Sequence, residues 1–187
     1  MRLFLAINLP HEVRREIVAA ATTLRASAPD LSWVGETGLH LTLKFLGEVE
    51  DERVPDIEAA LAAVAGRHRE LLMSLSGVGA FPNFRKARVV WLGVGQDPRL
   101  ELLHHDVEVA CEKLGFEVEG RAFRPHLTLA RIKHPLSEDR LRVLARAARQ
   151  TDYRTDFIIR SVDLMHSELS PRGSTYTTVM SAALRSS

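Results

Sequence analysis

The chain of 187 residues has little cysteine and little net charge. Its single cysteine, Cys111, excludes an internal disulfide. Cys111 falls on the apolar side of a helical pattern, so we expect a buried residue. The formal net charge is only +1, which argues against a polycation that coats long nucleic acids. Hydrophobic residues make up 45% and charged residues 26% of the chain, which is typical of a globular protein.

Long apolar runs are also missing. The apolar run of residues 3–9 is much shorter than the roughly 20 residues that a spanning helix needs, and no signal-peptide cleavage pattern accompanies it. This run predicts a buried first strand. We therefore expect a cytoplasmic protein with no membrane partner. No low-complexity linker divides the chain, so residues 1–187 are expected to form a single two-lobed domain.

The sequence does contain a repeated tetrapeptide. His-Leu-Thr-Leu occurs at residues 40–43 and again at residues 126–129. Both copies alternate polar and apolar residues, which predicts strands with one exposed and one buried face. The four polar residues then lie on exposed faces and the leucines point into a core. These polar residues are His40, Thr42, His126 and Thr128.

This set of residues suits chemistry on a phosphate. Imidazole gives or takes a proton near neutral pH, and a threonine hydroxyl can donate to a phosphate oxygen. A single copy is explained as well by an ordinary half-exposed strand. The repetition in two strand contexts favours a site in which two copies supply an acid, a base and two hydroxyl donors.

The order of elements divides the chain into two similar halves. In each half a motif strand, at residues 39–47 and 125–133, is followed within a few residues by a helix. This order predicts two α+β lobes whose motifs meet at their interface, where ligand sites are common. Near the end, residues 170–173 (Ser-Pro-Arg-Gly) predict a turn between two strands.

The motifs resemble the two-histidine phosphoesterase superfamily, and within it the RNA 2′,3′-cyclic phosphodiesterases, also called 2′-5′ RNA ligases. The resemblance extends in order along nearly the whole chain. It includes residues 2–7, 40–49, 90–94, 123–131 and 167–169, with Gly173 and Tyr176. It implies an α+β fold: a bilobal, pseudo-symmetric domain with antiparallel sheets lining a central cleft and helices on the outside.

The same resemblance implies a reaction. RNA 2′,3′-cyclic phosphodiester ends would be hydrolysed to 2′-phosphomonoesters, with 2′-5′ RNA ligation as a side activity. It makes His40 the proton donor, His126 the proton acceptor, and Thr42 and Thr128 the phosphate-binding residues. The sequence alone does not distinguish the two histidine roles. The expected partners are RNA ends or cyclic nucleotides; we expect no cofactor, no metal, no protein partner and a monomer.

Two cations are further candidates for substrate contact. Lys44 is expected on the strand face of His40 and Thr42, although a solvent-facing lysine fits equally well. Arg131 matches the family motif and suits a phosphate. Strict alternation places Arg131 opposite His126 unless the strand twists or bulges there. Base-stacking candidates, which core packing explains equally well, are Phe4, Trp33, Trp91 and Tyr176.

A second class of function remains open at this point. The chain could be a nucleotide or RNA-end binding module with vestigial catalysis. The presence of histidine and threonine at all four motif positions argues against it. The other histidines show no metal-ligand spacing.

Overall fold

The computed structural model describes residues 1–171 and 173–187, so Arg172 of the predicted turn lies outside the described part. The strands are β1 (Arg2–Asn8), β2 (Ser32–Trp33), β3 (His40–Glu48), β4 (Leu71–Phe81), β5 (Val89–Val94), β6 (His126–Arg131), β7 (Arg154–Ile159), β8 (Ser161–Ser170) and β9 (Gly173–Ala183). The helices are α1 (His11–Ala20), α2 (Thr22–Ser27), α3 (Val54–Ala65), α4 (Pro98–Lys113) and α5 (Glu138–Gln150).

The strands form one antiparallel sheet in the order β7-β4-β5-β6-β3-β1-β8-β9, with β2 beside β6. One lobe contains β7, β4, β5 and β6, and the other contains β3, β1, β8 and β9. The lobes meet where β3 pairs with β6 through Leu41 and Leu127. The predicted α+β fold with antiparallel strands and outer helices is confirmed, and the two expected sheets are joined into one curled sheet.

The core lies between one face of this sheet and the helices. Alternate residues of the strands point into it, and Leu5, Leu41, Leu92 and Leu127 are all buried there. Because side chains alternate along a strand, the opposite face carries the polar motif residues and remains accessible.

Helix α4 shows how the sequence sets a boundary. Asp97 accepts a hydrogen bond from the Arg99 amide at 2.8 Å, and Pro98 occupies the first turn. The apolar stripe of the helix includes Cys111, which is buried as predicted. Burial raises the pKa of the Cys111 thiol to about 11, so this residue is an unreactive core thiol.

Within the described residues, no helix is long and apolar enough to cross a membrane.

Candidate active site

The two motifs lie side by side at the junction of the lobes. Leu41 of β3 pairs with Leu127 of β6 in antiparallel register. This register sets His40 across from Thr128 and Thr42 across from His126. In a regular ladder such opposite residues have Cβ atoms about 4.5–5.5 Å apart, and the two histidines lie on the diagonal, about 7–8 Å apart. The arrangement has approximate two-fold symmetry about the leucine pair.

Both motif strands contain a β-bulge at the same motif position. On β3, Thr42 pairs with Ala6 and Lys44 with Leu5, which leaves Leu43 as the extra residue. On β6, the register shifts in the same way at Leu129. The extra residue of a bulge shifts the alternation, so the side chains that follow it point to the opposite face of the sheet. The residues five positions after each histidine therefore return to the histidine face.

The bulge on β6 decides the position of Arg131. This side chain is exposed, follows buried Ala130, and acts on the ring of His40 through its charge. Strict alternation alone would put Arg131 on the opposite face, and the bulge, which the sequence analysis allowed for, returns it to the histidine face. Arg131 belongs to the same surface as the two motifs, beside the end of β3 that carries His40.

The bulge on β3 overturns the expectation for Lys44. Lys44 does not share the face of His40 and Thr42. Its side chain is 6% exposed and its Nζ donates to Glu108 Oε2 of α4 at 2.8 Å and also to the carbonyl of Glu117. Lys44 is thus a buried structural cation on the helix side of the sheet, and the prediction that it contacts the substrate is wrong.

Phe45 takes the place that alternation assigned to Lys44. Its side chain is 67% exposed, and its ring lies 6.0 Å from that of Phe4 on the motif face. Phe45 is related to Arg131 by the approximate symmetry of the motifs. The sequence does not reveal this residue, because alternation without a bulge sends the Phe45 side chain into the core.

His40 occupies an apolar part of the site. Its ring packs 4.9 Å from Phe4 and 5.0 Å, edge to face, from Tyr176. Burial, together with the charge of Arg131, lowers the pKa of His40 to about 4, although the Gly38 carbonyl opposes the shift. Nδ1 of His40 is buried, and no hydrogen bond of ordinary geometry reaches it from the described residues. A pKa this low favours the neutral ring of His40 at pH 7.

The residues just before β6 fix the position of the His126 ring. Nδ1 of His126 lies 2.7 Å from the carbonyl oxygen of Arg124, two residues earlier. A carbonyl only accepts, so Nδ1 carries the proton and Nε2 of the neutral ring is free to accept one. The ring edge of His126 packs 4.9 Å from Phe81 at the end of β4. These two contacts fix the orientation of the ring.

The two tryptophan candidates, Trp91 and Trp33, are half-buried. Trp91 lies across from Thr128 on β5, and its ring contacts that of Phe81 at 5.3 Å. Trp33 donates from Nε1 to the Ala28 carbonyl at 2.8 Å. Both residues support the sheet around the motifs.

A buried carboxylate stabilises the His40 side of the site. Asn8 pairs across the sheet with His40 and donates from Nδ2 to Asp163 at 2.6 Å. Asp163 also accepts from Ser161 at 3.0 Å and from Ser181. These contacts join β1 to β8 and β9 near the other end of the chain, so the motifs alone gave no signal for them.

Within the described residues there is no cluster of three or more histidine, cysteine, aspartate or glutamate side chains placed to hold a metal ion. The motif face instead offers two imidazoles, two half-buried threonine hydroxyls and one guanidinium. Together these groups can bind an anion and move protons on both sides of it.

Comparisons with known proteins agree with this geometry. The sequence pattern of the family described as LigT like Phosphoesterase matches residues 7–91 and 93–176, and each matched segment contains one motif. An RNA 2′,3′-cyclic phosphodiesterase of Methanothermobacter thermautotrophicus is 33% identical over 177 residues, which cover 95% of each chain.

Solved structures extend the likeness to the fold. A protein of Thermus thermophilus superposes with a TM-score of 0.81 at 31% identity, covering 100% of this chain and 99% of the other. Escherichia coli LigT, solved in complex with 3′-AMP, gives a TM-score of 0.71 at 30% identity over 98% of this chain and 97% of the other.

Proposed function

The chain belongs to the LigT-like phosphoesterase family, and we propose that it is an enzyme that hydrolyses the 2′,3′-cyclic phosphate ends of RNA to 2′-phosphomonoesters. The relative from Methanothermobacter thermautotrophicus carries the name of this activity. The observation that carries the proposal is the antiparallel pairing of two His-x-Thr motifs on one accessible face. Two diagonal imidazoles can serve opposite sides of one phosphorus atom.

His126 acts as the proton acceptor. Its Nδ1–H group donates a hydrogen bond to the Arg124 carbonyl, which leaves Nε2 as the basic nitrogen. Water attacks phosphorus as Nε2 removes its proton. A positioned general base of this kind contributes on the order of 10²–10⁴ in rate.

His40 acts as the proton donor to the departing 3′ oxygen of the ribose. It must be protonated for this role, whereas burial and the charge of Arg131 lower its pKa and favour the neutral ring. A bound phosphate brings negative charge close to both groups, which offsets the charge of Arg131 and favours the protonated ring. Substrate binding therefore favours protonation of His40, the proton donor.

Three groups hold the phosphate. The hydroxyls of Thr42 and Thr128 donate to its non-bridging oxygens and stabilise the charge of the transition state. Arg131, on the same face, pairs with an oxygen through its guanidinium. The exposed ring of Phe45 provides a surface on which the base can stack.

The substrates are RNA ends or nucleotides carrying a 2′,3′-cyclic phosphate. The two imidazoles supply both proton transfers, so the proposed reaction requires no metal or other cofactor. The same acid and base can run in reverse and join RNA ends through a 2′-5′ bond. Because water is present at high concentration, hydrolysis dominates and ligation is a side reaction.

The experiment is an incubation of the pure protein with a 2′,3′-cyclic nucleotide in the presence of EDTA, followed by chromatography against 2′- and 3′-monophosphate standards. We expect the 2′-monophosphate. The 3′-monophosphate as product would reverse the proposed substrate orientation. Binding of the nucleotide without any turnover would favour the alternative of a binding module with vestigial catalysis.

A further inference from the structure

A row of unpaired cationic side chains extends over the surface from the motif face, beginning at Arg131. Residues 82–88, between β4 and β5, and residues 131–137, after β6, contain five lysines and arginines and no acidic residue. All five side chains are exposed, and no ion pair within the described residues involves any of them. We call this set the basic strip: Arg85, Lys86, Arg88, Arg131 and Lys133.

The two segments of the basic strip are adjacent in space. Val89 pairs with Arg131 across β5 and β6, and the amide of Ile132 donates to the carbonyl of Arg88 at 2.9 Å. The strip therefore runs without a break from Arg131, beside His40, along the ends of these strands and onto the β4–β5 connection.

This connection is held in a defined shape at both ends. The Asn83 side chain accepts from the amides of Arg85 at 2.9 Å and Lys86 at 3.2 Å. The amide of Arg88 donates to the carbonyl of Phe81 at 2.8 Å, and the Phe81 ring contacts that of His126 at 4.9 Å. A segment that carries three free cations is thus anchored directly against a motif histidine.

We infer that the basic strip binds the phosphates of a single-stranded RNA whose 3′ end lies in the cleft. This inference rests on the proposed function and extends it from the terminal nucleotide to the nucleotides before it. Free cations in a row attract a polyanion, and a cyclic phosphate at a 3′ end leaves the rest of the strand to run out of the cleft. The strip then distinguishes an RNA end from a free cyclic nucleotide.

The release of counterions from the RNA predicts how strongly its binding should depend on salt concentration. Each phosphate contact to a single strand contributes a slope of about −0.7 to log K against log salt. If each of the three cations of the connection contacts one phosphate, removing them makes the slope less negative by about 2. Between 50 and 200 mM salt, the affinity of the unmodified protein then falls about 20-fold more than that of the variant.

The test measures binding by fluorescence anisotropy, using a labelled eight-nucleotide RNA with a 3′-terminal 2′-phosphate in EDTA. The loop variant is Arg85→Ala/Lys86→Ala/Arg88→Ala. The matched control is Arg142→Ala/Arg146→Ala/Arg149→Ala, which removes the same charge from the exposed side of α5. We expect weaker binding and a shallower salt slope for the loop variant alone.

Two results would overturn the inference. One is an unchanged salt slope in the loop variant; the other is an equal change in the control, which would reflect net charge and not the strip. Hydrolysis of a cyclic mononucleotide by the unmodified protein is measured separately. Absence of that hydrolysis would refute the proposed function, while the anisotropy series would still decide whether the strip binds RNA.

Discussion

His40 and His126 share a motif but differ in their surroundings. His40 packs against Phe4 and Tyr176 and has a pKa of about 4, whereas His126 is oriented by the Arg124 carbonyl. An acid and a base need different protonation states at one pH. Because the two motifs are identical in sequence, the difference between the rings comes from their surroundings, and the proposed acid needs the charge of a bound phosphate to become protonated.

The pKa of His40 gives a residue-scale prediction. In an NMR titration of the free protein, the His40 ring should titrate near pH 4. Arg131→Ala should raise this pKa because it removes a charge that disfavours the protonated ring. Saturation with a nucleoside 2′-monophosphate should raise it as well. A His40 pKa that stays unchanged in Arg131→Ala would refute the proposed coupling of these two residues.

The threonines give a milder prediction. Thr42→Ala and Thr128→Ala each remove one neutral hydrogen bond, which corresponds to about 0.5–1.5 kcal/mol, or roughly a tenfold loss at most in kcat/KM. Steady-state kinetics on a cyclic nucleotide measures the loss. Turnover abolished in a folded threonine variant would assign that hydroxyl a role beyond holding an oxygen.

Residue types could be predicted here better than residue positions. The repeated tetrapeptide identified His40 and His126 because an exact repeat is visible without a structure. Lys44 was expected on the histidine face, whereas Arg131 was expected there only if β6 twists or bulges. The bulge on β3 buries Lys44, and the bulge on β6 brings Arg131 to the histidine face. No residue in either motif signals a bulge, so alternation alone could not predict on which face of the sheet these two side chains lie.

Among the elements, α4 and β3 are joined by the buried pair of Lys44 and Glu108. Their side chains are 6% and 10% exposed, and Glu108 Oε2 also accepts from the Glu119 amide at 3.3 Å. The pair thereby fastens the irregular connection of residues 114–125, which leads into the second motif. The charge pair has a structural role close to the site but outside it.

Breaking this pair should destabilise the protein strongly. Lys44→Met or Glu108→Gln leaves one buried group without its partner, at a cost of about 3–5 kcal/mol, while the double change Lys44→Met/Glu108→Leu should recover much of the loss. Urea unfolding measures each free energy. As a control, Glu138→Ala at the exposed pair with Arg142 should cost less than about 1 kcal/mol. Equal losses in the buried and exposed pairs would contradict this account.

Gly79 provides a second test at the element scale. A Cβ at this position would overlap the Trp91 ring, so Gly79→Ala must displace the indole that lies beside Thr128. Overpacking of this kind costs about 1–3 kcal/mol. We expect lower stability together with lower kcat/KM, by urea unfolding and steady-state kinetics. Unchanged stability would mean that the indole moves freely.

The sequence pattern predicted helices, strands and the meeting of the two motifs, but it could not predict that the lobes share one continuous sheet. The apolar stripe of α4 and the alternation of β6 are local signals. The pairing of β3 with β6 is set by packing between residues far apart in the chain. The two expected sheets are therefore a single sheet.

At the scale of the whole molecule, one buried cluster runs through both lobes. It contains Leu5 and Leu164 from one lobe and Leu75 and Leu92 from the other. Since the lobes share a core, we expect a single cooperative thermal transition with equal calorimetric and van't Hoff enthalpies. Two separate transitions in differential scanning calorimetry would show that the lobes unfold independently.

The central claim is that both motif histidines carry the proton transfers. The most direct measurement is kcat of His40→Ala and His126→Ala on a 2′,3′-cyclic nucleotide in EDTA, with circular dichroism and urea unfolding to verify the fold. Both rings lie on the accessible face, so the folds should survive. We predict that each variant loses at least about 10²-fold in kcat. Near-normal turnover in either folded variant would contradict the account.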